Sequence, residues 1–107
     1  MPRAKLGSVM VTFDAELWLW EARADSWTFV TVPADVSEDI RELAAAPRRG
    51  FGSVRVQAAI GGSTWRTSIF PDAAHGCYVM PVKAKVRKAE GLDVGGTASV
   101  SIELVDF

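Results

Sequence analysis

From Val9 onward the odd positions read Val9, Val11, Phe13, Ala15, Leu17 and Leu19, with Thr12, Asp14 and Glu16 between them. Strict alternation is the period of a strand with one buried face, so Val9 to Leu19 reads as a single long strand. Trp18 and Trp20 fall on its otherwise polar face. Arg23-Ala24-Asp25-Ser26 reads as a turn into a second strand, Trp27 to Val32, which Pro33 stops. So short a connection implies an antiparallel hairpin. The spacing then becomes helical: Val36, Ile40, Leu43 and Ala44 make one apolar stripe between about Val36 and Ala46, ended by Pro47. Asp35 or Ser37 can cap the first N–H groups, and Glu38 and Asp39 sit where the helix dipole favours negative charge.

Beyond a loop at Arg48-Arg49-Gly50-Phe51-Gly52, alternation resumes. Val54, Val56, Ala58 and Ile60 predict a third strand, and Gly61-Gly62 a tight hairpin turn into a fourth, Thr64 to Phe70. Pro71-Asp72 opens a loop, and Cys77 to Val82 reads as a fifth strand. A short helix over about Lys83 to Glu90 stops at Gly91, with Arg87 and Lys88 complementing its carbonyl end. Ala98, Val100, Ile102 and Leu104 face one way in the sixth strand. A flat sheet of such strands would expose an apolar face and two edges. The pattern therefore predicts a mainly β, partly open barrel with two short helices plugging its ends. Val11, Phe13, Leu17, Val56, Ile60, Val100 and Ile102 are its predicted core.

Six segments in this order carry a resemblance. They are Phe13-x-Ala15-x-Leu17; Trp27-x-Phe29-Val30-x-x-Pro33; Val54-x-Val56-x-x-x-Ile60-Gly61-Gly62; Trp65-Arg66-Thr67-Ser68-Ile69; Tyr78-x-Met80-Pro81-Val82-Lys83; and Val86-Arg87-Lys88-Ala89-x-Gly91-Leu92. The chain resembles DUF1905, a family of small bacterial and archaeal domains of unknown function, from about Val9 to Asp106. The resemblance implies one domain over residues 1–107 with a six-stranded double-split β-barrel. That fold class is shared with swapped-hairpin transition-state regulators, which bind DNA as dimers. Family members usually carry Gly-Asp before the last strand, where this chain has Gly95-Gly96. No established activity comes with the family.

Composition changes this picture little. The chain has 107 residues, with 12 basic and 13 acidic side chains giving a net charge of −1, so no global field draws in nucleic acid or an anionic membrane. No apolar run approaches the ~18 residues of a membrane span. Charged Met1 to Lys5 leads into an alternating strand, so no signal peptide is expected. One cysteine, Cys77, forms no internal disulfide, and a reducing cytoplasm is the expected compartment.

Candidate chemistry is sparse. His75 and Cys77 stand two apart, as a thiolate pair or two zinc ligands would, but no second pair completes a site and a packed, unreactive thiol is expected instead. Glu38, Asp39 and Glu42 read as a solvated helix face. Asp14 and Glu16 can form ion pairs across the sheet with Arg55 or Arg66. Lys83, Lys85, Arg87 and Lys88 are the best nucleic-acid candidate, with Lys83 and Arg87 on one helix face. Trp65-Arg66-Thr67-Ser68 puts an indole beside a guanidinium and two hydroxyls, which suits a small polar or anionic ligand; plain core packing of Trp65, Thr67 and Ile69 suits it too.

Trp65, Arg66, Lys83 and Arg87 are therefore the candidate ligand-binding residues of a non-catalytic binding module, whose partner is a small molecule or a protein. The alternative is a nucleic-acid-binding protein, by analogy with the swapped-hairpin regulators. Nothing resembles a nucleophile, base and orienting group, and neither cofactor, metal nor membrane is expected. Trp18 and Trp20 need cover, either from the helix of Val36, Ile40 and Leu43 or from a second copy of the chain; monomer and homodimer both stay open.

Overall fold

The alternating segments become strands in the structure, a computed structural model that describes residues 10–22, 25–43, 52–72 and 76–105. The order is β1 (Met10–Glu16), β2 (Trp18–Ala22), β3 (Asp25–Thr31), α1 (Ala34–Leu43), β4 (Val54–Ile60), β5 (Ser63–Asp72), β6 (Cys77–Pro81), α2 (Ala84–Glu90) and β7 (Thr97–Leu104). All described pairings are antiparallel, and the sheet runs β1-β7-β4-β5-β6-β3-β2. Its two terminal strands, β1 and β2, are separated in sequence by Leu17 alone. The ends of the sheet must therefore meet, and the sheet curls into a half-barrel.

Seven strands stand where six are expected because the first expected strand is two. Alternation runs unbroken through Leu17, but its hydrogen bonds do not. The Leu17 N–H donates to the Gly96 carbonyl at 2.9 Å, and its own carbonyl accepts from the Gly95 N–H at 2.8 Å. The glycine turn before β7 thus clamps a corner, after which the chain pairs with β3 instead of β7. Leu17 stays fully buried at this corner. Leu19, expected inward, remains 44% exposed because β2 is the last strand of the sheet. Val9 lies outside the described residues.

A second departure is β5, which continues through Pro71 to Asp72 where a loop is expected. Its first part pairs with β4, from Ser63 opposite Ile60 to Ile69 opposite Val54. Phe70, Pro71 and Asp72 then pair with Val79, Tyr78 and Cys77 of β6. One strand so belongs to both halves of the sheet.

The inner faces fill the core as alternation predicts. Phe13, Leu17, Val56, Ile60, Val100 and Ile102 are all buried, with Val11 packed partly exposed against them. Val30, Val32, Met80 and Tyr78 complete the core from the other half of the sheet.

The helices close opposite ends, as expected. In α1 the Asp35 carboxylate accepts from the neighbouring Val36 N–H at 2.9 Å. Ser37, the other expected cap, does something else. Its buried hydroxyl donates to the Val32 carbonyl and accepts from the Tyr78 N–H, each at 3.0 Å, tying α1 to the ends of β3 and β6. Arg41 adds a bond to the Gly76 carbonyl at 2.9 Å and lies over the Tyr78 ring. The expected residues 44–46 of this helix, Pro47 and the Arg48–Phe51 part of the loop lie outside the described residues, as do Arg23 and Ala24 of the expected hairpin turn.

At the other end, α2 buries Val86 and stops as predicted. Gly91 is left-handed (φ 65°), and the N–H groups of Leu92 and Gly91 return to the carbonyls of Arg87 and Lys88. The Glu90 carboxylate accepts from the Ser63 hydroxyl at 2.6 Å and lies against the β4–β5 turn. Gly61 there has φ 59°, a left-handed conformation that favours glycine, and the Glu90 carboxylate rests against it. Among the described residues no helix is long and apolar enough to cross a membrane.

Candidate functional site

A strand sends neighbouring side chains to opposite faces, and this separates the first two candidates. Trp65, opposite Ala58, points inward and packs partly buried against the core. Its indole N–H is buried with no hydrogen-bond partner among the described residues. Arg66, opposite Gln57, is exposed on the outer face and lines a shallow hollow of about 230 Å³ with Arg55, Thr67 and Ser68.

Lys83 and Arg87 come together, as their spacing predicts. They line one groove of about 410 Å³ with Trp27, Thr28 and Pro81, between the start of β3 and the first turn of α2. Trp27 is 50% exposed there. Arg87 is partly buried, and its Nε donates to the Val82 carbonyl at 3.2 Å, which fixes the plane of the guanidinium. Lys85 and Lys88 line another hollow on α2 with Leu92 and Asp93, and Arg87 borders that one too. The four candidates thus divide among three places, and only Lys83 and Arg87 share one.

Asp14 and Glu16 lie opposite Ser99 and Thr97, not Arg55 or Arg66, because β7 stands between β1 and β4. Glu38, Asp39 and Glu42 are exposed, as a solvated face should be. Cys77 begins β6 opposite Asp72, free of any disulfide and only partly buried on the outer parity, so it is not a core residue. His75 lies outside the described residues.

Trp18 and Trp20, expected to need cover, belong to a larger aromatic face that takes in Trp27 and Phe29 as well. The β2–β3 hairpin sets Trp18 opposite Phe29 and Trp20 opposite Trp27 on one outward face. Trp18 and Phe29 pack with ring centres 5.3 Å apart, and Trp20 stands edge-on to Phe29 at 6.4 Å and 68°. The Trp18 indole N–H donates to the Thr31 hydroxyl at 2.9 Å, which holds that ring in place. Here α1 does not provide the expected cover: Pro71, Asp72 and Val79 line the adjoining hollow, with no α1 residue among the described ones. The signal was present in β3, where Trp27, Phe29 and Thr31 alternate against buried Thr28, Val30 and Val32. Two aromatic outward faces in one hairpin already imply a patch.

Comparison with known proteins adds the family. A family model described as a domain of unknown function (DUF1905) matches residues 13–102, most of the chain. No curated protein matches it.

Proposed function

We propose, from the premise that the chain belongs to the DUF1905 family, that this domain is a non-catalytic binding module for a small anionic ligand, held between Trp27, Lys83 and Arg87. The observation that carries this reading is an indole half in water beside two cations in one groove. A volume of about 410 Å³ suits a small metabolite, since ligand sites run from roughly 300 to 1,000 Å³. The indole face offers contact area, the oriented guanidinium a planar fork of donors, and Lys83 a mobile point charge. No carboxylate, His or Cys lines the groove among the described residues, which supports binding over acid–base chemistry.

Tryptophan fluorescence and thermal shift against a panel of phosphorylated and carboxylated metabolites, at low salt, test the reading. A saturable response that Lys83→Ala with Arg87→Ala removes is the expected result. Stabilisation by no anion, or equal stabilisation of the double variant, would overturn it. A second reading rests on the same pairing: an indole beside cations also suits a stacked base and its phosphate in single-stranded nucleic acid. Oligonucleotide binding whose logarithm falls steeply with log salt, without mononucleotide binding, would favour that reading.

A further inference from the structure

The hollow on the outer face of β2, β3 and β5 has chemistry unlike that of the Trp27 groove. Trp18, Trp20 and Phe29 wall it, Pro71 and Val79 supply apolar carbon, and Asp72 contributes a carboxylate. No basic side chain lines it among the described residues. Ring faces carry negative electrostatic potential, so aromatic walls beside a carboxylate make a place for positive charge. The rings are set before any ligand arrives. Trp18 is anchored to Thr31, Phe29 is packed on Trp18, and Trp20 meets Phe29 nearly at a right angle, forming a corner.

We propose that this hollow binds a quaternary ammonium group. A primary ammonium brings three N–H donors that need acceptors, and beyond the single Asp72 carboxylate the ring faces, Pro71 and Val79 offer none of the ordinary kind. A trimethylammonium group has no donor to satisfy, presents methyl groups to the walls and still carries the charge that the rings and Asp72 attract. The hollow measures about 260 Å³, just below the range of drug-sized sites, so it fits a head group and not a whole large ligand. Trp20 is 48% exposed, which leaves the rest of a ligand an open way out to solvent. This hollow and the Trp27 groove share no lining residue, but Trp27 stacks on Phe29 with ring centres 6.4 Å apart, so cation and anion binding are told apart by their ligands and variants and not by tryptophan fluorescence alone.

The test is titration by tryptophan fluorescence and by NMR with choline, and with its neutral carbon isostere 3,3-dimethylbutan-1-ol. Choline is expected to saturate and to bind about tenfold more tightly than the isostere, in the range that cation–π attraction supplies. Trp20→Leu keeps apolar area but deletes one ring face, so the preference for choline should collapse while the far-UV spectrum of the fold stays unchanged. Asp72→Asn should weaken choline several-fold and leave the isostere alone. Equal affinity for both compounds would reduce the hollow to an apolar surface and overturn the proposal; so would saturation by neither. A short peptide carrying N-trimethyl-lysine, set against the same peptide unmodified, identifies the source. Tighter binding of the methylated peptide than of choline places the group on a protein side chain, and the reverse order on a free small molecule.

Discussion

The sheet has one core-facing surface but two contrasting outer ones. Over β1, β7, β4 and the first part of β5 the outward residues include Thr12, Asp14, Glu16, Ser99, Ser101, Gln57 and Arg66, and Thr12 and Ser101 share a hydroxyl bond at 2.8 Å. Over β2, β3, β6 and the end of β5 they include Trp18, Trp20, Trp27, Phe29, Val79 and Phe70, beside Thr31, Asp72 and Cys77. The change happens within β5 itself, which runs Arg66, Ser68, Phe70 along one face. Fully buried side chains lie beneath both surfaces, Val56 and Val100 under one and Val30 and Met80 under the other, so core formation does not account for the aromatic one. Val79 makes the point: it is buried to 9% exposure by its outer neighbours, yet it belongs to no part of the core cluster. A polar outer face needs only water. A contiguous aromatic one outside the core points to binding, and both proposed sites draw on it.

Leu17 is the corner at which the chain leaves the polar half for the aromatic half, and it is fully buried. Leu17→Ala should cost about 3–5 kcal/mol in urea unfolding, as buried leucine truncations do. A loss near zero would mean that the glycine clamp alone holds the corner. Ser37→Ala comes next. It leaves the Tyr78 N–H buried without its acceptor, at about 1–3 kcal/mol, and should speed hydrogen exchange at Tyr78.

Smaller effects sharpen the contrast between the faces. Trp20→Thr removes one edge-on aromatic contact from a half-exposed ring, so the expected loss is about 0.5–1.5 kcal/mol. The same change should lower the binding of a hydrophobic dye to the native protein, since it interrupts the patch. On the polar face, Ser99→Thr should stay within about 0.5 kcal/mol either way, because Ser99 is exposed and its role is met by solvent. If Ser99→Thr cost as much as Trp20→Thr, the two surfaces would not differ in the way described.

Much of this was legible along the chain. Alternation assigned the buried residues of β1, β4 and β7, because a strand's period of two sorts side chains by face whatever their partners. Proline and glycine marked the ends of β3 and α2, since their backbone limits are local. The pairing of Lys83 with Arg87 was legible too, being one helical turn apart. The grouping of Trp65 and Arg66 with them was not, because it concerns distance between elements. Ser37 shows the same limit: its sequence position suits a helix cap, but a carbonyl and an N–H from two strands lie closer to its hydroxyl.

What the sequence determined by itself is thus the side each residue faces and the places where elements stop, both of which follow from neighbouring φ/ψ and side-chain chemistry. The tertiary structure decided the partners. Leu17 carries on the same alternation as Phe13 and Ala15, yet its hydrogen bonds go to Gly95 and Gly96. Phe70 carries on the parity of Arg66, yet it pairs with β6 instead of β4. Alternation records a face and is blind to which strand lies alongside. Strand choice depends on closing the sheet over one core, a condition on residues far apart in the chain, and that condition set the aromatic face apart from the polar one.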